Sequence, residues 1–534
     1  MRGIWITGIK LTLALTVVGS AYFFNLGYPS LWGDEAGTGL FARNVLQFGV
    51  PTGFDGRNLS IYEGGTELNA QLLVVKIPWI QFYLAALSLQ VFGDTTQGLR
   101  TIFALSGMVA LFPIWACLRK RVPMPLLLAT VILLTPQVIL FHRNARYYAV
   151  LTLLFALTTW LVCAPARSRR IQLGLCTTLM TLMFHTHPVA AISCGLTLLL
   201  HAAWHRANFS MYLLACVFGL SSWLLWLYVV GPTLIAPLLF ADFRGQEALT
   251  WPSILARNVF WSFADVDAVQ GMPLLAWAIG IVSLSLLAPK RLASYFKDPL
   301  VGFVLLALVV HVLLVATAFG TETEQHMGLL RYMPHLIALA LAPLFILVAQ
   351  LLPKARLLTP VCMALVASNL FTLSYWRATP NQTIPLSWWT PTYLEIAFPH
   401  PEAFDVARQI IESDVSLRSG GLQTLAVHPQ WLQENAIYYL GHKLIVQPQI
   451  EPGSSSEAAV RARIGDAALA RLRPNPTWVI YEYPGEPPTV PGYNSVRFEL
   501  HRMRPDDGTR PELTRHTFYT QQVIGYATLY RRVD

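Results

Sequence analysis

Residues 101–141 read TIFALSGMVALFPIWACLRKRVPMPLLLATVILLTPQVILF, two apolar runs separated only by Arg119, Lys120 and Arg121. An apolar helix of about 20 residues crosses a hydrocarbon core about 30 Å thick, so this stretch predicts two membrane helices joined by a tight basic turn. Working outward, nine more such runs fall near 4–24, 147–164, 171–187, 188–204, 210–230, 272–288, 299–320, 334–352 and 357–375, making eleven. Composition agrees. Of 534 residues, 54% are hydrophobic and 13% charged, against about 25% charged in a soluble domain. An ordinary soluble enzyme and a disordered chain are both excluded.

Basic residues in short loops stay on the cytoplasmic side of a membrane. Besides 119–121 they gather at Arg167, Arg169 and Arg170, at Arg206, at Lys290, Arg291 and Lys297, and at Lys354 and Arg356, always after an even-numbered span. With the N-terminus inside, residues 25–100 and everything beyond 375 then lie outside. The apolar stretch 77–92 would reverse every later loop if it crossed, so it is expected to lie in the outer interface. The first span is expected to be a retained anchor rather than a cleaved leader. Residues 1–375 hold 23 Lys and Arg against 13 Asp and Glu, whereas 376–534 hold 15 against 16. The basic excess therefore belongs to orientation in the bilayer and gives no argument for nucleic acid. All six cysteines sit in apolar runs and none is spaced Cys-x-x-Cys, which argues against a disulfide framework or a zinc site.

The expected architecture is an α-helical polytopic membrane protein with about eleven transmembrane helices, residues 1–375, followed by a C-terminal extracytoplasmic α/β domain, residues 376–534. The start of the latter, 376–400, is rich in Pro, Thr and Trp and reads as a linker or interfacial collar. Beyond it, helix-like stretches at 402–412, 431–440 and 456–472 alternate with strand-like ones at 422–427, 443–447, 477–483, 495–500 and 526–531, the pattern of a small α/β domain.

Three polar constellations stand at the outer face. The loop 25–100 is far longer than two adjacent spans need, and long ordered loops are usually functional. It opens with Leu31-Trp32-Gly33-Asp34-Glu35-Ala36 and continues through Phe41-Ala42-Arg43-Asn44 to Gly49-Val50-Pro51. Asp34 can cap a helix that Gly49 and Pro51 stop. Either the two acids only cap and complement the helix dipole, or they do chemistry. The second, Phe141-His142-Arg143-Asn144-Ala145-Arg146-Tyr147-Tyr148, puts two arginines outside. Guanidinium suits phosphate or carboxylate, and these arginines either bind an anionic ligand or pair with acids of the first loop. The third ends in Leu330-Arg331-Tyr332-Met333-Pro334, where Arg331 either meets an anion or snorkels to headgroups. His185 and His187 make a weak metal pair, and His311 reads as a hydrogen-bonded contact within a span.

These motifs, Trp-x-Asp-Glu with Ala-Arg-Asn and Gly-x-Pro at 32–51, Ala-Arg-Tyr-Tyr at 145–148 and Arg-Tyr-x-Pro at 331–334, resemble the polyprenol-phosphate-sugar glycosyltransferases. That group includes the protein mannosyltransferases and the aminoarabinose and sugar transferases of glycosyltransferase family 39, all of the GT-C fold. The resemblance covers residues 5–375. It implies that Asp34 is the catalytic base with Glu35 beside it, and that Arg143, Arg146, Tyr147, Arg331 and Tyr332 bind the donor's phosphate or sugar. The departure is at Lys76-Ile77-Pro78-Trp79, where such proteins often carry Lys/His-Pro-Pro-Leu. The C-terminal domain resembles no named family.

The chemistry such residues suit is transfer of a hexosyl or pentosyl group from a polyprenyl-phosphate sugar to a lipid, glycan or protein of the cell envelope. A carboxylate deprotonates the acceptor hydroxyl, cations stabilise the departing phosphate, and one displacement inverts the anomeric carbon. No Gly-rich nucleotide loop is present, no carboxylate cage suggests a metal site, and no cofactor is expected to be required, a divalent metal remaining open. The expected surroundings are membrane lipids of a bacterial inner membrane, with the C-terminal domain in the periplasm. The competing classes are a transporter or flippase of lipid-linked saccharides and a non-catalytic scaffold. Crowding of charge at the outer face, rather than at the midplane of repeated halves, argues against the first.

Overall fold

The computed structural model describes all residues except 1, 62–67, 76, 206–207, 231–250, 268–271, 319–331, 353–354, 378–384, 401, 418–422, 429–431, 449–454, 473–474, 484–489, 501, 504–517, 520–524 and 534. Arg331, Arg206, Lys354 and Lys76 therefore lie outside the described residues. Ten of the eleven expected spans fall on a helix or a pair of helices, and the last, 357–375, on the helix Ala355–Ala367, a 3-10 turn at Asn369–Phe371 and the start of Leu373–Arg377. Among the described residues, Thr96–Leu118, Pro299–Thr317 and Pro334–Leu351 are long and apolar enough to cross a membrane, and Pro125–Leu134 with Pro136–His142 makes a fourth if that pair, bent by 66°, is one span. Shorter apolar helices occupy six of the other expected spans. Pro125, Pro136, Pro188, Pro299 and Pro334 each open a helix, a position where the missing N–H costs nothing and the fixed φ suits the first turn.

The described residues divide into two compact units. The first comprises residues 1–24 and 103–394, and the second 25–102, 395–504 and 517–534. At the centre of the first, the helix Pro334–Leu351 is buried from Pro334 through Val348. Its Ala338, Ala340 and Ala342 alternate with Leu339 and Leu341, and small side chains let neighbouring helices approach closely where lipid supplies no hydrophobic drive. It packs against Tyr148–Cys163, Pro299–Ala318 and Leu274–Leu287. Leu13, Val217, Val282, Leu286 and Leu287 point outward, an apolar exterior that fits a lipid environment.

The second unit joins the first loop to the C-terminal segment, so the boundary expected at 375/376 falls inside the first unit and the loop 25–100 folds with the sheet. That sheet is built from β1 (Thr424–His428), β2 (Ile445–Val446), β3 (Trp478–Tyr483), β4 (Tyr493–Leu500) and β7 (Gly525–Arg532), with β5 (Arg502–Met503) and β6 (Phe518–Tyr519) forming a separate pair. The order is β2-β1-β3-β7-β4, parallel among the first three and antiparallel beyond. The alternation of helix and strand read from the sequence is thus realised. The stretch expected to be a linker instead carries a helix at Trp389–Ala397. Pro391 lies within its first turn, where proline is tolerated, and Trp389 Nε1 donates to the Val366 carbonyl at 2.8 Å.

A shared core explains why the loop belongs to this unit. Leu59, Ile61 and Leu72 of the loop pack with Ile445, Val460, Leu469 and Leu472 of the C-terminal segment. The Asn58 amide donates to the Gly441 carbonyl at 2.9 Å and accepts from the Val446 N–H at 2.8 Å. The loop's first helix, α2 (Gly33–Phe48), ends at Gly49, whose φ of +78° is the left-handed geometry glycine supplies at a helix end. The helix that follows in the loop, Ile80–Phe92, turns Phe82, Ala85, Ala86 and Leu89 inward and Tyr83, Leu87 and Val91 outward. Its Phe82 ring meets Phe41 of α2 at 5.1 Å, edge to face.

Across α2, the helix Gln433–Leu440 comes so close that a Cβ on Gly39 would lie 2.5 Å from the Tyr438 ring and 2.9 Å from Leu99. Gly39→Ala is therefore expected to destabilise the protein by about 1–3 kcal/mol through overpacking. Thermal unfolding of the detergent-solubilised protein measures this, and an unchanged midpoint contradicts the close approach.

Candidate active site

Asp34 and Glu35 occupy the first turn of α2. The helix begins two residues earlier than expected: Trp32 is the cap residue and no side chain caps it, so Asp34 does not serve as the cap. Both acids are buried, at 3% and 0% exposure. Glu35 is held by a residue the sequence reading passed over. Arg100 Nη2 lies 2.6 Å from Glu35 Oε2 and Arg100 Nε 2.9 Å from Oε1, a two-pronged ion pair with both side chains enclosed. The third nitrogen, Nη1, donates to the Leu26 and Pro29 carbonyls at 3.0 and 2.7 Å. One guanidinium thereby fixes the chain entering α2, the first turn of α2 and the helix that carries Arg100.

Other side chains of this unit pin the same entry. The Leu31 N–H donates to Tyr439 Oη at 3.0 Å, the Asn435 amide donates to the Leu31 carbonyl, and Ser30 donates to Asp405. Asp34 follows within four residues of these anchors. Its orientation is set by backbone that the helices Ala403–Leu417 and Gln433–Leu440 hold in place.

The arginine motif belongs to the other unit. Tyr22 Oη donates to the Leu133 carbonyl at 3.0 Å and contacts His142 Nδ1 at 2.9 Å, while His142 Nε2 contacts Thr152 Oγ1 at 3.0 Å. This buried chain of contacts ties the first helix, the bent pair and Tyr148–Cys163 around residues 142–148. Arg143 Nη1 donates to the Ala21, Tyr22 and Phe24 carbonyls at 2.8–3.0 Å. Those carbonyls close the helix Arg2–Phe23, whose last turn has no internal donors for them. Arg143, expected to meet a phosphate, thus has helix-end work as well.

Arg146 is buried, with its guanidinium 5.5 Å from the centre of the Tyr147 ring. The Tyr147 ring meets His187 at 4.8 Å, and His187 meets Tyr332 at 5.9 Å. His311 Nε2 contacts the Tyr332 carbonyl at 2.9 Å, as a contact within a span would. The structure therefore brings Arg146, Tyr147 and Tyr332 together around His187, a residue weighed in the sequence only as half of a weak metal pair. His187 Nδ1 instead accepts the Ala190 N–H at 3.2 Å, and His185 Nε2 contacts Ser222 at 3.1 Å. Among the described residues, no group of three or more His, Cys, Asp or Glu side chains could hold a metal ion. The six cysteines are all free.

No family model matches the sequence, and no curated protein matches it. Solved structures do. ArnT from Cupriavidus metallidurans in the apo state matches with a TM-score of 0.56 at 16% identity, over 89% of this chain and 93% of that one. The same protein bound to undecaprenyl phosphate matches at 0.54 and 14% identity, over 88% and 92%. The chain has the GT-C fold. The archaeal oligosaccharyltransferase AglB from Archaeoglobus fulgidus matches at 0.45 and 12% identity, over 90% of this chain and 70% of that one. Within the GT-C fold of this protein, the acid-bearing helix and the arginine motif stand on different compact units, each fixed by its own buried polar contacts.

Arg100 could have been found. It is an arginine near the start of an apolar helix, at an end expected from the sequence to face outward, where basic residues are scarce, the same signal that drew attention to Arg143 and Arg146. Removing one partner of a buried ion pair leaves the other charge uncompensated. Arg100→Ala is expected to destabilise the protein by about 3–5 kcal/mol, read as a fall in the thermal unfolding midpoint; wild-type stability would show that the pair is dispensable.

Proposed function

We propose that the protein is a membrane glycosyltransferase that takes a sugar from a polyprenyl-phosphate donor and passes it to an acceptor hydroxyl outside the cytoplasm. The observation that carries the reading is the buried acid pair opening α2, with Glu35 neutralised by Arg100 and Asp34 alongside it. The shared fold supports it, since ArnT, an aminoarabinose transferase, binds undecaprenyl phosphate. The donor is already activated, so the protein needs no nucleotide site.

Asp34 accepts the proton of the acceptor hydroxyl as that oxygen attacks the anomeric carbon. The bond from that carbon to the phosphate oxygen breaks in the same step, inverting the centre, and the electron pair leaves with the phosphate. General-base assistance of this kind is worth roughly 10²- to 10⁴-fold. Arg146 and Arg331, with the Tyr147 and Tyr332 hydroxyls, receive the growing negative charge, an electrostatic role that is usually the largest single contribution to rate. Glu35 and Arg143 are positioning residues in this scheme. Nothing in it requires a metal or other cofactor. Its setting is the inner membrane of a bacterium, with the C-terminal domain in the periplasm and an envelope glycolipid, glycan or protein as acceptor.

Asp34→Asn is expected to leave the protein folded and abundant in the membrane while lowering transfer from a radiolabelled undecaprenyl-phosphate sugar by at least about 10²-fold. Arg146→Ala is expected to weaken donor binding with the melting temperature little changed. Undiminished transfer by Asp34→Asn would remove it from the base role, and a product of retained anomeric configuration would contradict the single displacement.

A further inference from the structure

The unit that carries α2 also holds a cleft of about 490 Å³ that the scheme above does not use. Its volume lies in the range of about 300–1,000 Å³ typical of small-molecule sites. One wall is α2, through Arg43 and Asn44; another is the loop at 53–60; the third is the end of Gln433–Leu440, reaching His442.

The chemistry of the walls narrows the occupant. Arg43 gives Nε to both Asp94 oxygens at 3.0 Å, gives Nη1 to the Tyr438 carbonyl at 2.6 Å, and lies flat over the Tyr438 ring at 3.9 Å. A guanidinium so engaged is a rigid wall rather than an anion trap. Arg57 is anchored through the His442 carbonyl at 2.7 Å. Asp55 accepts the Arg57 and Asn58 N–H groups. Burial, with Lys443 and Arg43 nearby, lowers the His442 imidazole from its ordinary value, and the two arginines balance the two aspartates. A phosphate would need a net positive site, and a divalent cation would need carboxylates away from guanidinium groups. Leu40 and Ile437 add apolar surface beside these polar groups, so the occupant presents carbon as well as polar atoms.

What remains is a ligand rich in groups that both donate and accept. Amide, carboxylate and guanidinium are planar, two-pronged partners for neighbouring hydroxyls. The exposed Gln47 of α2 also lines the cleft, an amide that both donates and accepts.

We propose that this cleft binds a neutral saccharide, and that the acceptor of the reaction is accordingly a glycan gripped by residues 43–60. The identification of that saccharide as acceptor rests on the glycosyltransferase reading; the binding itself does not. Saturation-transfer NMR on the full-length protein in lipid nanodiscs, free of sugar detergents, tests it with methyl glycosides of glucose, galactose, mannose and N-acetylglucosamine, and with inorganic phosphate. At least one glycoside is expected to bind, at least tenfold more weakly to Arg57→Ala and to Gln47→Ala. Arg57 and Gln47 are exposed, so both variants are expected to fold, which their melting temperatures check. No bound glycoside, binding undiminished in both cleft variants, or phosphate binding in place of the glycosides would overturn the proposal. If glycosides bind while the wild type transfers no sugar, the cleft stands and the enzymatic reading falls; transfer without glycoside binding fells only the cleft.

Discussion

A carboxylate and a guanidinium enclosed together, Glu35 and Arg100, hold the start of α2. Enclosing such a pair is not a cheap source of stability, because desolvating both charges roughly offsets their attraction, and an apolar pair of similar volume often does as well. What the pair supplies is position. Arg100 meets Glu35 with two nitrogens and the carbonyls of Leu26 and Pro29 with the third, so the entry to α2 cannot move without stranding a charge. Asp34 is adjacent in sequence and inherits that rigidity. For the base role proposed for Asp34, a carboxylate held by its backbone loses little entropy in meeting a substrate.

The same logic explains why the loop and the C-terminal segment fold together. The helix Gln433–Leu440 covers α2 along Gly39 and anchors Leu31 through Asn435 and Tyr439, while Asp405 of Ala403–Leu417 anchors Ser30. The C-terminal sheet is therefore more than an appended domain, since its helices form the wall against which the acid-bearing turn is set. In the other unit, Arg143 closes the helix Arg2–Phe23 and His142 links three helices through Tyr22 and Thr152, which leaves Arg146 and Tyr147 on a firm base beside His187.

Features carried by one element were legible in the sequence. Apolar length marked the helices, Gly49 marked the end of α2, and alternation marked the small sheet, because each depends on residues close along the chain. Features that depend on which distant residue completes a contact were not. Nothing near Glu35 names Arg100 as its partner, nothing in Leu59, Ile61 and Leu72 shows that Ile445 and Leu472 complete their core, and the helix at Trp389–Ala397 was masked by the prolines and threonines around it. Arg143 and Arg146 looked equivalent by spacing; only the carbonyls at the end of the first helix separate them. The comparison with ArnT fixes the fold and leaves the assignment of roles to these local contacts.

A double-mutant cycle on Glu35→Gln and Arg100→Met, read by thermal unfolding and by sugar transfer in the same preparations, tests the positional role of the ion pair most directly. If the pair sets the acid-bearing turn, each single variant loses stability and transfer, and the double variant is little worse than either, with a coupling of about 2–3 kcal/mol. Additive losses, or full transfer in both single variants, would show that the turn is positioned by something else.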